Sequence, residues 1–246
     1  MQDCTWSKIF RFAVAGAASL ALAACGGETA ETPVERAETG EIAEGELAIP
    51  VMGPQRRIVA FGDSLFAGYG LAEGEGYPER LEAALRARGV NADVVDAGVP
   101  GDTSAAGRQR LTFALDALEE KPDLFILELG GNDLLRGLSP DETRANFVAM
   151  LDELKTRDIP VLLMGMRSPP NYGEEFRAQF DAMYGELAQE YDAALIPFWL
   201  EDIYRDPNLF QSDRIHPTAE GIEILVESTL AEVSEALPEP EVAEVR

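Results

Sequence analysis

The single histidine of the chain, His216, is the residue whose chemistry can be argued most directly. An imidazole can take a proton from a hydroxyl nucleophile and later return it to a leaving group. Asp213 precedes it by three residues, close enough for its carboxylate to bind the ring and fix the tautomer. Pro217 biases His216 out of the α-helical region, so the ring can project from a loop. This spacing predicts a histidine–aspartate pair for acid–base catalysis.

Ser64 is the hydroxyl best placed to act as the nucleophile for such a pair. It lies in the segment Gly62-Asp63-Ser64-Leu65, directly after the apolar run Arg57–Gly62. A lone histidine is more often a capping or surface residue, and a Gly-Asp-Ser segment by itself is often only a turn. The hypothesis of a hydrolase site therefore depends on which elements bring these segments together.

Short runs typical of strands alternate with longer helical patterns along the chain. The predicted strands are Arg57–Gly62, Ala92–Asp96, Leu124–Leu129, Pro160–Met166 and Ala194–Pro197, and a last helix covers about Pro217–Ala236. Strands that are apolar throughout and separated by helices indicate a parallel sheet covered on both faces. We predict one doubly wound, flavodoxin-like α/β domain over residues 57–236, with a mainly parallel five-stranded sheet.

Ligands of such sheets bind beyond the carboxyl ends of the strands. The segments predicted to lie there are 62–65, 98–104, 130–133 and 167–173, and residues 212–217 precede the last helix. Several of these segments are rich in glycine and small polar residues. Their joint placement at one edge of the sheet favours a single site that contains Ser64, Asp213 and His216.

The composition excludes several other classes of function. The chain has 45 acidic against 20 basic side chains, a net charge of -25, so we expect no nucleic-acid partner. Two cysteines cannot build a disulfide framework or a cysteine-based zinc site, and one histidine excludes a site with two imidazoles. Neither a P-loop nor a dinucleotide fingerprint is present. We expect no cofactor and no metal; a metal hydrolase built on carboxylates and His216 is a poorly supported alternative.

Residues 1–24 have the pattern of a signal peptide. Basic residues precede the apolar run 12–24, which is too short for the ~20 residues that span a bilayer. The end of this segment, Leu22-Ala23-Ala24-Cys25, resembles the lipobox of bacterial lipoproteins. That resemblance implies lipidation of Cys25 and a membrane anchor on the periplasmic side of the cell envelope. Gly26 stands where many inner-membrane lipoproteins have aspartate, which favours the outer membrane.

Two acidic segments flank the predicted domain. Residues 25–56 contain the cysteine to be lipidated and a glutamate-rich stretch without apolar periodicity, which indicates a flexible spacer. Residues 237–246 have a similar composition and are predicted to be a disordered tail. The chain is therefore expected to be an exported domain on a lipid tether.

The segments at the predicted site resemble the sequence blocks of the SGNH (GDSL-type) hydrolases. The matching residues are Gly62-Asp63-Ser64-Leu65, Gly101, Gly130-x-Asn132-Asp133 and Asp213-x-x-His216-Pro217, in the same order and spacing. The similarity covers roughly residues 57–233. Within the superfamily, the runs 62–71, 99–107 and 128–137 resemble the periplasmic branch of multifunctional thioesterases/lysophospholipases and arylesterases.

The resemblance implies a role for each matching residue. Ser64 would be the nucleophile, His216 the general base and then acid, and Asp213 the group that orients His216. The oxyanion hole would consist of the backbone N–H groups of Ser64 and Gly101 and the side-chain amide of Asn132.

The second block departs from the family pattern. Family members often have asparagine before the glycine of this block, and here Asp96-Ala97-Gly98 stands in that place. Gly98 is therefore an alternative to Gly101 as the second backbone donor. Asp63 and Asp133 are expected to bind loop N–H groups rather than to act as acid or base.

The function implied is that of a serine esterase working through an acyl-enzyme. Its partner would be a small-molecule ester: a short or medium acyl ester, an aryl ester or a lysophospholipid, with thioesters as a side reaction. Leu134, Leu135 and Tyr172 are predicted to line an apolar substrate channel, although such residues equally often pack into a core. The alternatives are a deacetylase of cell-envelope carbohydrate and a non-catalytic binding lipoprotein on the same fold.

Overall fold

The computed structural model describes residues 51–239 of the chain. Five strands alternate with six α-helices, and two short 3-10 turns occur at Pro170–Tyr172 and Pro207–Leu209. In chain order the elements are β1 (Arg56–Gly62), α1 (Tyr77–Ala87), β2 (Ala92–Gly98), α2 (Ser104–Asp116), β3 (Leu124–Glu128), α3 (Gly131–Arg136), α4 (Pro140–Thr156), β4 (Val161–Met164), α5 (Glu174–Tyr191), β5 (Ala194–Ile196) and α6 (Ala219–Ala236).

The strands form one sheet in the order β2-β1-β3-β4-β5, and all four pairings are parallel. This is the flavodoxin-like order, in which the chain winds outward from β1 in both directions. Every residue of β3 is buried, as expected for a strand covered by helices on both faces. The predicted doubly wound α/β domain is confirmed.

Some element ends differ from the sequence prediction. β4 spans Val161–Met164 rather than 160–166, because Gly165 leaves the regular ladder while still donating its N–H to Ile196 C=O at 2.8 Å. The last helix begins at Ala219, because the Thr218 hydroxyl accepts the N–H of Gly221 and caps it. These shifts leave the loops at the carboxyl edge of the sheet where they were expected.

An aromatic cluster supports the loop after β1 from below. Phe66 stacks on Tyr77 with ring centroids 5.3 Å apart, and Trp199 contacts both rings edge-on at 5.2 and 5.0 Å. All three side chains are buried, and Tyr77 shares a 2.7 Å hydrogen bond with Thr229 of α6. Because Phe66 lies two residues after Ser64, this packing fixes the loop that carries Ser64.

The predictions for residues 1–24, for Cys25 and for most of the spacer and tail lie outside the described residues. Within residues 51–239, no helix is both long and apolar enough to cross a bilayer.

Candidate active site

Three side chains from distant parts of the chain form a hydrogen-bonded series at the carboxyl edge of the sheet. Ser64 Oγ lies 2.8 Å from His216 Nε2, and His216 Nδ1 lies 2.7 Å from Asp213 Oδ2. Ser64 follows β1, whereas the other two residues precede α6. In this arrangement the imidazole can accept the serine proton while the carboxylate stabilises the imidazolium that forms.

The local turn from Asp213 to His216 explains how a separation of three residues brings the carboxylate onto the ring. Asp213 Oδ1 accepts the backbone N–H groups of Ile215 and His216 at 2.9 and 3.1 Å, which leaves Oδ2 for the imidazole. Arg214 adopts a left-handed conformation with φ 60° to allow this turn. The hydrogen bond from His216, followed by that from Ile215 N–H, lowers the pKa of Asp213 to about 2. Asp213 is therefore ionised at any pH where the protein would work.

Gln211 connects the histidine loop to the serine loop, and no sequence motif pointed to it. Its Nε2 donates to Tyr69 C=O at 2.7 Å and to Pro217 C=O at 2.9 Å. Its backbone N–H also donates to His216 C=O at 2.8 Å. One side chain thus holds the backbone beside His216 against the loop that begins at Ser64.

Three N–H donors belong to residues that line the cavity at Ser64. The backbone N–H groups of Ser64 and Gly101 donate to no other group among residues 51–239, and both residues line the same cavity as Asn132. The alternative donor, Gly98, already donates its N–H to Asp96 Oδ1 at 2.8 Å. The geometry therefore favours Gly101 over Gly98 as the second backbone donor.

Asp63 orients the third donor. Its Oδ2 accepts one hydrogen of the Asn132 amide at 2.8 Å, so the second hydrogen is left for a ligand in the cavity. Its Oδ1 accepts Leu65 N–H at 3.0 Å. Asp133, by contrast, is a buried residue of α3 and accepts hydrogen bonds from Ser104 and Thr143. Neither aspartate reaches the Ser64 hydroxyl.

A second buried carboxyl group, Glu128, lies beneath the serine loop. Its Oε2 accepts Asp63 N–H at 3.4 Å, whereas its Oε1 has no hydrogen-bond partner among the described residues. Burial raises the pKa of Asp63 to about 6, and burial together with the charge of Asp63 raises the pKa of Glu128 well above its ordinary value. Because Asp63 accepts two N–H bonds and Glu128 accepts one long one, we assign the proton to Glu128.

The cavity at the site has a volume of about 190 Å³. Its lining contains Asp63, Ser64, Leu65, Tyr69, Gly101, Gly131, Asn132, Leu135, Ile215 and His216. Tyr69 is 53% exposed and its ring centroid lies 4.6 Å from that of His216. Two larger hollows, of about 290 and 280 Å³, lie elsewhere and contain neither serine nor histidine.

The predicted substrate channel is only partly found. Leu135 is 61% exposed and lines the cavity, but Leu134 is 6% exposed and packs in the core. Tyr172 packs against Phe176 and donates its hydroxyl to Leu134 C=O, so it supports α3 rather than lining the cavity. The prediction for Leu134 and Tyr172 is therefore corrected: neighbouring helix positions differ by ~100° in direction, so only one of the two leucines can face the site.

Tyr69 and Ile215 line the cavity and were missed by the sequence analysis. Ile215 lies inside the predicted segment 212–217, and Tyr69 lies four residues after the segment 62–65. Large apolar residues in such loops are the signal that could have identified them. No group of three or more histidine, cysteine, aspartate or glutamate side chains within residues 51–239 is arranged to hold a metal ion.

Comparison with known proteins places this geometry in a family. Residues 60–224 match the model of the GDSL-like Lipase/Acylhydrolase family. Esterase TesA of Pseudomonas aeruginosa is 38% identical over 176 residues, which are 70% of this chain and 87% of that protein. The Escherichia coli K12 protein named thioesterase 1/protease 1/lysophospholipase L1 is 37% identical over 164 residues, 67% of this chain and 76% of that protein.

Solved structures give the same result. AlinE4, described as an SGNH-hydrolase family esterase, is 58% identical and superposes with a TM-score of 0.65 over 76% of this chain and 99% of that one. The family model covers the segments that contain Ser64, Asn132 and His216. The chain therefore belongs to the GDSL-like lipase/acylhydrolase family, and it is an ester hydrolase of the SGNH type.

Proposed function

We propose that this protein hydrolyses carboxylic esters through a Ser64-His216-Asp213 triad and an acyl-enzyme. The observation that carries the proposal is the series of 2.8 and 2.7 Å contacts from Ser64 Oγ through the imidazole to Asp213. His216 takes the Ser64 proton as Oγ attacks the ester carbonyl carbon, and it returns the proton to the leaving alcohol. Water then attacks the acyl-enzyme by the same route, releasing the acid and restoring Ser64.

The negative oxygen of each tetrahedral intermediate would be bound by three neutral donors. These are the N–H groups of Ser64 and Gly101 and the free amide hydrogen of Asn132, all of which line one cavity. Donors that are already in place need no reorganisation as charge develops, and loss of one typically costs ~10²–10³ in rate. This arrangement supports acyl transfer over metal-assisted hydrolysis.

The size and lining of the cavity support small acyl groups as substrates. A volume of about 190 Å³ lies below the ~300–1,000 Å³ of pockets for drug-sized ligands. Leu65, Leu135, Ile215 and Tyr69 provide apolar contacts, and Tyr69 offers an aromatic face to an aryl leaving group. We therefore propose short acyl and aryl esters as the preferred substrates. Medium-chain esters, lysophospholipids and thioesters would be hydrolysed with lower kcat/KM.

Labelling with a fluorophosphonate tests the nucleophile directly. We expect the wild-type protein to be labelled at Ser64, and Ser64→Ala to abolish both the label and the hydrolysis of p-nitrophenyl acetate. EDTA should leave the rate unchanged. Hydrolysis by Ser64→Ala at the wild-type rate would refute the mechanism, and a wild-type protein without activity would favour a binding lipoprotein.

A substrate panel tests the choice of ester. p-Nitrophenyl esters from acetate to palmitate would be compared with lysophosphatidylcholine, an acyl thioester and acetylated glycans. We expect kcat/KM to be highest for the short esters. A preference for acetylated glycans would instead indicate a deacetylase of envelope carbohydrate, for which the apolar lining offers few hydrogen-bonding groups.

We further propose that Cys25 is lipidated and that the domain is held at the periplasmic side of the outer membrane. The support is the Leu22-Ala23-Ala24-Cys25 segment after a short apolar run. Incorporation of labelled palmitate into the full-length protein, and its loss in Cys25→Ala, would test the anchor. Membrane fractionation of the same two proteins would test the location.

A further inference from the structure

Arg110 of α2 makes three contacts beneath the site, and the mechanism above does not use them. Its Nε lies 2.5 Å from Asp102 Oδ2, and its Nη2 donates to Gly62 C=O at 2.9 Å. Its guanidinium carbon lies 3.7 Å from the centre of the Phe61 ring, which is fully buried in β1. A guanidinium held on a carboxylate, a carbonyl and an aromatic face has little freedom to move.

The two polar groups that Arg110 binds adjoin two proposed oxyanion donors. Gly62 ends β1 and lies two residues before Ser64, whereas Asp102 directly follows Gly101. The guanidinium therefore joins the loop of the first donor to the loop of the second. Neither contact reaches the cavity itself, since Arg110 and Asp102 are absent from its lining.

The turn that carries Gly101 is fastened at both of its ends. Val99 N–H donates to Gly62 C=O at 3.0 Å, and Asp102 N–H closes the turn on Val99 C=O at 3.1 Å. Arg110 binds the same Gly62 carbonyl and the Asp102 carboxylate. Both ends of the turn are thus connected to the Gly62 carbonyl oxygen at the end of β1, the Val99 end directly and the Asp102 end through Arg110.

The backbone conformation of Gly101 depends on these contacts. Its φ is 86°, a region that glycine enters freely and that loop geometry alone does not enforce. Arg136 of α3 holds its carbonyl through a 2.7 Å bond from Nη2, but that side chain is exposed. The partly buried Arg110–Asp102 pair, with side chains 22% and 12% exposed, is the firmer of the two restraints.

We propose that Arg110 is a positioning residue that sets the distance between the Ser64 and Gly101 donors by binding Gly62 C=O and the Asp102 carboxylate together. This inference rests on the proposed oxyanion hole. Loss of Arg110 would leave both donors present but allow the Gly101 turn to move. Transition-state binding would weaken, whereas binding of the ground-state ester, which uses the apolar lining, would not.

The test compares kcat and KM for p-nitrophenyl butyrate in three variants. Arg110→Met keeps the stem on Phe61 and removes both polar contacts; we expect kcat to fall ~10-fold or more, a part of the ~10²–10³ for losing a donor, with KM within about twofold. Arg110→Lys can reach only one of the two oxygens, so its kcat should lie between those of Arg110→Met and the wild type. Asp102→Asn keeps an acceptor and should have the mildest loss.

Arg56 provides a matched control at the opposite end of β1. It is a buried arginine that also binds an aspartate, Asp123 at 3.2 Å, and a carbonyl, that of Pro238. Arg56→Met should lower the thermal midpoint by an amount comparable to Arg110→Met but leave kcat unchanged. Activity would be measured at a temperature well below both thermal midpoints, so that unfolding does not contribute to any fall in kcat.

The outcomes separate this inference from the proposed function. In one outcome the wild-type protein is labelled by the fluorophosphonate and hydrolyses the ester, while Arg110→Met has the same kcat as Arg56→Met. That result would refute the positioning role of Arg110 but leave the proposed function intact. A change confined to KM would refute it as well. If Arg110→Met does not fold, a reduced kcat in Arg110→Lys and Asp102→Asn supports the role, and wild-type kcat in both refutes it. Absence of labelling in the wild type would refute the proposed function itself.

Discussion

Asp63→Asn should make the protein as stable or more stable while removing most of its activity. Burial raises the Asp63 pKa from 3.8 to about 6, so an ionised Asp63 costs the folded state ~3 kcal/mol at ~1.4 kcal/mol per pKa unit. An asparagine removes that charge, and its Oδ1 can still accept Leu65 N–H, the bond now made at 3.0 Å. We expect the free energy of unfolding at neutral pH to rise by up to ~3 kcal/mol, less the cost of any lost hydrogen bond.

The activity should change in the opposite direction. The new amide group would face the Asn132 amide at the position where Oδ2 now accepts its N–H at 2.8 Å. Asn132 must then turn its carbonyl toward residue 63, which takes its second hydrogen out of the proposed oxyanion hole. Loss of that donor predicts a fall in kcat of ~10²–10³ with little change in KM.

The stability gained by Asp63→Asn should depend on pH. A carboxyl group whose folded pKa is raised contributes stability below pH 3.8, and the contribution is lost as the pH rises from 3.8 through about 6. The advantage of Asp63→Asn over the wild type should therefore grow across that interval and be constant above it. Chemical denaturation at several pH values and steady-state kinetics would measure both quantities.

A double variant tests whether the loss passes through Asn132. In Asn132→Ala the amide donor is already absent, so adding Asp63→Asn should lower kcat little further. Wild-type kcat in Asp63→Asn, or additive losses in the double variant, would show that the bond between the two side chains does not position the amide.

Three further changes have expected results. Asp213→Ala should lower kcat less than His216→Ala, the latter by ~10²–10⁴, and Asp213 should cause no inflection in a pH–rate profile above pH 4, since its pKa is lowered to about 2. Gly98→Ala should lower the free energy of unfolding by ~1–3 kcal/mol or more, because the new Cβ would lie 2.5 Å from Ala67 N. In Gly101→Ala the new Cβ would meet only Arg136, at 3.6 Å, so the cost is the ~1–2 kcal/mol of backbone strain at φ 86°. Tyr69→Ala should raise KM for aryl esters several-fold and Tyr69→Phe should not, because the phenylalanine ring keeps the aromatic contact beside His216. Equal KM in both variants would contradict this.

The sheet could be predicted from the sequence because its signals are local. Runs such as 57–62 and 124–129 are apolar throughout most of their length, and the short polar or glycine-rich segments after them mark the strand ends. Since parallel strands end at the same edge, that pattern also brings Ser64 and Asn132 together. The spacing of Asp213 and His216 is likewise local, and the structure places the two side chains 2.7 Å apart.

The supporting residues could not be predicted because their roles depend on contacts between distant segments. Gln211 bonds to Tyr69 C=O, 142 residues away, and Arg110 bonds to Gly62 C=O, 48 residues away. Neither residue belongs to a recognisable motif. Glu128 is different, because a glutamate within the apolar run 124–129 is a visible anomaly in the sequence and a signal that could have identified a buried acidic group.

The charges around the site are arranged in a way that is compatible with the proposed oxyanion hole, although the protein is strongly acidic. The donors in the proposed hole are neutral, and the charged groups contact those donors or their loops. Asp63 accepts a hydrogen bond from Asn132. Arg110 pairs with Asp102, which follows Gly101 in its turn. A second anion at Glu128 would oppose charge development on the substrate, and burial raises the pKa of that carboxyl, which favours its neutral form. Two buried acidic side chains therefore orient the proposed hole: Asp63 through Asn132, and Asp102 through its pair with Arg110.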